Sequence, residues 1–156
     1  MSENEMKIIV FLLRNEEYGV NVEQVRSIER MLPITRVPRT PAFVKGVINL
    51  RGVVTPVIDL RERFLFEKNE VTDETRIIIV SVQELEVGLV VDAANDVIDL
   101  PLREIVAPPE LISGVAAKYL SGVAKWEERL LVLLNLEEVL NQEELHALHD
   151  ADFSYS

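Results

Sequence analysis

Short apolar runs rich in β-branched residues, separated by polar connections, set the pattern of this chain. Residues 7–13 form one such run, and Glu16-Glu-Tyr-Gly19 turns it into a second, Val20-Asn-Val22, which predicts a hairpin. Residues 23–30 place Val25 and Ile28 three apart, a spacing that fits either one helical turn or the start of a strand. Pro33, Pro38 and Pro41 then require extended or turning chain, since each removes a backbone donor and disfavours helix before it. Gly46-Val-Ile-Asn-Leu-Arg-Gly52 and its continuation through Leu60 read as strand, tight turn, strand, and residues 61–64 as a short helical turn. Residues 69–75 are polar except for Val71 and predict a surface loop. Residues 76–82 and 87–92 make another hairpin, 97–100 a short strand, and Pro101, Pro108 and Pro109 interrupt regular structure. Residues 119–124 and 130–134 are strands about a turn spanning residues 125–129. The tail beyond is helical in pattern, with Asn141 placed to cap residues 142–148.

The two halves of this pattern repeat. Ile8-Ile-Val-Phe with Tyr18-Gly19 aligns to Ile77-Ile-Ile-Val with Val87-Gly88 at an offset of 69. Phe43-Val-Lys-Gly-Val47 with Val57-Ile-Asp-Leu60 aligns to Tyr119-Leu-Ser-Gly-Val123 with Leu133-Leu-Asn-Leu136 at an offset of 76, so the second copy carries a seven-residue insertion in its proline-rich connection. Each copy holds about five short strands, the material of one small barrel. The expected fold class is all-β: two similar five-stranded barrels from an internal duplication, with approximate repeats at 7–75 and 76–140 and a short C-terminal helix and tail at 141–156.

Comparing the copies singles out one turn. Gly52 is able to take a positive φ at no steric cost. Arg51, with Asn49 two places before it, is either a well-solvated turn residue or a contact aimed at a partner. At the 76 offset Asn49, Arg51 and Gly52 become Lys125, Glu127 and Glu128, whereas Gly46 and Gly19 are kept as Gly122 and Gly88. The fold therefore does without the first set, which favours a functional role for Asn49-Leu-Arg-Gly52.

Composition narrows the partners. A chain of 156 residues fits one domain, or two small ones sharing a core. It lacks cysteine, which excludes disulfides, thiol catalysis and thiolate metal sites and fits a reducing compartment. The longest apolar run, residues 8–13, is far short of a membrane span, and no signal-peptide core opens the chain, so a cytoplasmic protein is expected. The net charge of -11 argues against nucleic acid and anionic membrane. That charge is uneven: residues 1–76 carry 12 basic and 12 acidic side chains, and the rest carry 4 against 15. Residues 26–63 hold eight basic side chains (Arg26, Arg30, Arg36, Arg39, Lys45, Arg51, Arg61, Arg63) against three acidic ones. This is either a basic face suited to an acidic protein partner or a solvated surface of uneven charge.

Catalytic signatures are missing. There is no Gly-x-Ser-x-Gly elbow and no phosphate-cradling glycine loop, so neither an enzyme nor a cofactor is expected. His146 and His149 have a spacing open to one metal, yet an exposed terminal helix accounts for them better. Asp92, Asp96 and Asp99 lack the glycine-centred loop of a calcium site and read as a solvated strand edge. Trp126, in the turn of the second copy, reads as partly buried core rather than a contact.

The residues resemble the CheW chemotaxis coupling proteins. The resemblance rests on Phe11, Tyr18-Gly19, Val25, Ile28, Pro38, Pro41, Phe43-Val-Lys-Gly-Val-Ile-Asn-Leu-Arg-Gly52, Pro56-Val-Ile-Asp-Leu60, Thr75-Arg76, Val87-Gly-Leu-Val-Val-Asp92 and Tyr119-Leu-Ser-Gly-Val123. It covers nearly the whole chain in order. It implies a single CheW-like domain of two Src-homology-like barrels that exchange strands. It also implies a non-catalytic adaptor between methyl-accepting chemoreceptor tips and the regulatory domain of the histidine kinase CheA, recruited to the membrane's inner face without inserting. Under the resemblance, Asn49 and Arg51 belong to the coupling surface, Val25 and Ile28 to a groove for the receptor hairpin, and Gly46 and Gly52 shape the adjoining turns. Where family members often carry glutamate before the isoleucine, this chain has Ser27, with Glu29 following. No receiver domain or kinase core is evident, unlike the fused coupling protein CheV.

Overall fold

The computed structural model describes residues 4–40, 43–64, 66, 70–108, 111–112 and 115–140; the helix expected beyond Asn141, with His146 and His149, lies outside them. The chain is all-β. Strands β1 (Glu5–Leu13) and β2 (Glu16–Asn21) form a hairpin, and a 3-10 turn at Val22–Gln24 leads into β3 (Val25–Arg30). Val25 and Ile28 thus both lie in a strand, and the 3-10 turn ends before them. Strands β4 (Val44–Leu50) and β5 (Val53–Asp59) follow, then one helical turn, α1 (Leu60–Arg63). The second half opens with β6 (Arg76–Val82), β7 (Leu85–Val91) and β8 (Ala93–Pro101). After the short β9 (Ile105–Val106) comes a separate two-stranded sheet, β10 (Leu111–Ile112) with β11 (Val115–Ala116). Strands β12 (Leu120–Trp126) and β13 (Arg129–Leu134) and the turn α2 (Leu136–Val139) end the described chain.

The two main sheets do not follow chain order. One runs β3-β6-β7-β5-β4, and the other β8-β1-β2-β13-β12-β9. Hairpin β6–β7 therefore completes the sheet of β3, β4 and β5, and hairpin β1–β2 completes the sheet of the later strands. The duplication is visible in the pairing itself. Val57 lies opposite Gly88 in one parallel pair and Leu133 opposite Gly19 in the other, positions related by the offsets of 76 and 69.

Instead of five strands each, the sheets hold five and six. The sixth strand, β9, has its counterpart in a single bridge: Val106 faces Val123 where Thr35 faces Val47. Thr35 and Val47 exchange both backbone hydrogen bonds at 2.8 Å. Because Thr35 follows β3 at one edge of its sheet and bonds β4 at the other, the sheet must curl, and that bridge closes it without a full ladder.

Three packed clusters explain the continuous apolar runs. Ile8 and Val10 point into one sheet's own interior with Ile98 and Leu131, while Ile9, Phe11 and Leu13 point into a core shared with the other sheet. In the second copy Ile77 and Ile79 fill the first sheet's interior with Ile48 and Val57, and Ile78, Val80 and Val82 join the shared core. A strand buried on both faces needs no polar alternation, which is why residues 8–13 and 77–80 read as unbroken runs.

The first hairpin turn differs from expectation. It lies at Arg14-Asn15, with Leu13 opposite Glu16, and Glu16 to Gly19 are strand residues. The four two-residue turns that lie among the described residues have positive φ at both positions: Arg14 and Asn15 (53° and 67°), Arg51 and Gly52 (51° and 87°), Gln83 and Glu84 (50° and 70°), and Glu127 and Glu128 (49° and 67°). This turn geometry matches the twist of the flanking strands, so paired strands impose it even on residues that do not favour it.

Within the shared core the ring of Tyr18 stacks on Phe11 at 6.0 Å, and its hydroxyl has no hydrogen-bond partner among the described residues. Burial, then the charge of Glu16, pushes the phenol well above its ordinary pKa, with Arg14 partly opposing. Tyr18→Phe is expected to raise unfolding stability by about 1 kcal/mol, because it removes a desolvated donor and keeps the ring. Urea unfolding measures this, and a clear loss of stability would show that the hydroxyl is satisfied.

Candidate functional site

The turn between β4 and β5 projects Arg51 from the end of the first sheet. Asn49 Oδ1 accepts a hydrogen bond from the Gly52 amide at 2.8 Å, so Asn49 holds the turn from within. Arg51 remains mostly exposed, with 69% of its side chain accessible, and a guanidinium N–H donates to Glu29 Oε2 at 3.2 Å. Glu29 is the better anchored partner. Its carboxyl is held below the usual range, first by the neighbouring Ser27 hydroxyl, which lies outside full hydrogen-bond geometry, and then by the hydrogen bond and charge of Arg51, against the opposing effect of burial. Glu29 was absent from the expected site, and nothing in sequence spacing pairs residues 22 apart; only the curl of the sheet brings β3 beside this turn. Val53 and Val54, directly after the turn, are about half exposed. Two adjacent valines after a turn, outside a two-residue alternation, were the available sign.

Val25 and Ile28, three apart, would ordinarily fall on opposite faces of a strand. A bulge at Arg26 places them on one face. Val25 lies opposite Val80 and Ile28 opposite Ile78, whereas Ser27 and Glu29 lie opposite Ile79 and Ile77 on the other face. Val25 packs at the margin of the shared core, and Ile28 is 42% exposed. The structure thus brings Asn49, Arg51 and Gly52 together and joins them to β3 through Glu29. It sets Val25 and Ile28 on the reverse face of that strand.

Gly46 does not shape a turn. It sits within β4 at a bulge with φ 142°, where the Thr35 carbonyl closes against it, and a Cβ there would lie 2.7 Å from the Thr35 carbonyl carbon. Its role is to let the Thr35–Val47 bridge form.

Arg61, counted among the basic surface residues, is buried. Its guanidinium donates to both Asp59 oxygens at 2.9 Å, to Asp92 Oδ1 at 3.0 Å and to the Glu70 carbonyl at 2.8 Å. Burial works against its charge, but the hydrogen bonds and negative charge of Asp59, then of Asp92, outweigh it and raise the pKa. The other candidate metal carboxylates also face cations: Asp96 lies 3.6 Å from Arg129, and Asp99 3.0 Å from Lys7. Among the described residues no three metal-binding side chains converge. Trp126 packs beside one sheet's interior and stacks with Arg129, whose Cζ lies 5.1 Å from the ring centre.

These features define a duplicated all-β protein with a charged turn and a partly apolar strand face at its surface. Residues 7–144 match the family model of the CheW-like domain. The chain is 47% identical over 137 residues to the chemotaxis protein CheW of Bacillus subtilis, covering 88% of each. With the CheW of Klebsiella aerogenes it shares 38% over 139 residues, covering 89% of this chain and 84% of the other. It superposes on the crystal structure of the scaffolding protein TtCheW from Thermoanaerobacter tengcongensis with a TM-score of 0.83 at 34% identity, covering 90% and 95% of the two chains. The chain belongs to the CheW family of chemotaxis scaffolding proteins. No helix among the described residues is long and apolar enough to cross a membrane.

Proposed function

We propose that this protein is a non-catalytic adaptor that couples the cytoplasmic tips of methyl-accepting chemoreceptors to the regulatory domain of the histidine kinase CheA. It acts at the inner face of the membrane, held there through the receptors, and uses no cofactor. The observation that carries this reading is the pair of equivalent turns. Glu127-Glu128 makes the turn of the second copy with φ of 49° and 67°, so the backbone does not require Arg51 and Gly52, yet Arg51 is held out at the surface. A guanidinium beside exposed Val53 and Val54 suits a partner that offers carboxylates around an apolar contact. Val25 and Ile28, brought to one face, supply an apolar strip for a receptor helix.

Titrating the protein against a receptor-tip coiled-coil fragment and, separately, the regulatory domain of a CheA-type kinase tests the proposal. Both are expected to bind, more weakly as salt rises. Arg51→Glu is expected to weaken binding about tenfold while lowering stability by about 1 kcal/mol or less, the range of an exposed ion pair such as Arg51–Glu29. Binding to neither fragment would remove the coupling function. An equal loss of melting temperature and of binding would make Arg51 structural.

A further inference from the structure

At the opposite end of the β4–β5 hairpin from Arg51 lies a cleft of about 550 Å³ between the loop after Thr35 and the start of β4. Val37, Pro38 and Val44 supply apolar lining within an otherwise polar and charged cleft, with Lys45 paired to Glu62 at its side. Arg36 and Arg39 stand on its rim, both exposed and neither with a carboxylate partner among the described residues. The loop is shaped in advance: the Thr40 hydroxyl donates to the Val37 carbonyl at 3.0 Å, and Arg39 holds a positive φ of 66°.

Because Glu62 pairs with Lys45, two guanidinium groups stand beside this apolar lining with no carboxylate partner among the described residues, on a chain whose net charge is -11. Such a local reversal of sign draws in anionic groups while the rest of the body repels them. Fork-shaped guanidinium donors match carboxylates in paired hydrogen bonds. A free phosphate would gain little here, since both arginines stay hydrated and exposed pairs contribute about 1 kcal/mol or less. A peptide alternating acidic and apolar side chains engages the two arginines and the apolar lining of Val37, Pro38 and Val44 together. We infer that this cleft is a second docking site, for an acidic, partly apolar segment of a partner protein. It rests on the adaptor reading only in taking a protein as the ligand. Lys45 and Arg51 are six residues apart along one strand, so about 20 Å separates this site from the Arg51 turn, and one hairpin presents a contact at each end.

The test uses the full chain and a fluorescein-labelled peptide of sequence Glu-Leu-Glu-Glu-Leu-Glu, read by anisotropy at low and physiological salt. The wild type is expected to bind, and the double variant Arg36→Glu, Arg39→Glu to weaken binding about tenfold or more with an unchanged melting temperature. Arg51→Glu is expected to leave peptide binding within about twofold, which separates this site from the coupling surface. Equal loss in Arg51→Glu would show a diffuse field rather than a site and overturn the inference. Absence of wild-type binding, or competition by inorganic phosphate as effective as unlabelled peptide, would overturn it as well. Receptor and kinase fragments failing to bind in the separate titration would leave this result unaffected.

Discussion

Arg61→Ala is expected to lower unfolding stability by about 3–5 kcal/mol, the range seen when one partner of a buried ion pair is removed. Arg61 is 3% exposed and Asp59 2%, so the alanine variant leaves a carboxylate without water or counter-charge. It also frees Asp92, the single residue at which the chain passes from β7 in one sheet to β8 in the other. Asp92 is otherwise held by the Arg14 amide at 2.8 Å and by its own amide's bond to the Leu12 carbonyl at 3.0 Å. A drop of about 6–20 °C in melting temperature follows for a chain of this length. The second copy suggests the control. There Asn135 stands for Asp59 and caps α2 through the Glu137 amide at 3.1 Å, as Asp59 caps α1 through the Arg61 amide at 2.9 Å. Asp59→Asn combined with Arg61→Leu keeps the cap and removes both charges, and it is expected to recover more than half of the loss. If the double variant is no better than Arg61→Ala in urea unfolding, the uncompensated charge is not the cause.

Gly46→Ala is expected to cost about 3 kcal/mol or more. Its φ of 142° is a conformation that side-chain-bearing residues rarely adopt, and the added Cβ meets the backbone of Thr35 and, at 3.0 Å, the Arg36 Cα. These are backbone atoms, so relief requires opening the Thr35–Val47 bridge with its two hydrogen bonds. Gly52→Ala separates the two contributions. Gly52 also has positive φ, at 87°, but its Cβ would meet nothing within 4 Å, so only the conformational cost of about 1–2 kcal/mol remains. Equal losses in the two variants would remove the steric argument, and with it the account of how the first sheet is held curled.

The candidate site was legible in the sequence where it depended on neighbours in the chain. Asn49, Arg51 and Gly52 stood out because two copies of one turn differ in sequence, and their geometry depends on a hydrogen bond across three residues. Glu29 was not legible as the partner of Arg51, because the β3 edge reaches that turn only when the sheet curls. The placement of Val25 and Ile28 on one face was equally hidden. It depends on a bulge opposite β6, some fifty residues later, which periodicity along β3 does not register. Arg61 looked like surface charge for a related reason: of its two counter-charges, Asp59 is two residues away, but Asp92 is 31 away, and the burial of the group comes only with the fold.

By itself the sequence determined the strand class, the hairpins and the duplication. Each arises from local propensity, from runs of apolar residues, or from similarity between segments, all of which are written along the chain. Tertiary structure alone decided the first turn, where strand twist imposed positive φ on Arg14 and Asn15 and left Gly19 as a packed strand residue. It also decided which residues meet. Hairpins β1–β2 and β6–β7 each serve the other copy's sheet, so the contacts of Asp92, Arg61 and Glu29 are set by how curled sheets close on one another. That closure is a property of three-dimensional packing, to which spacing along the chain is blind.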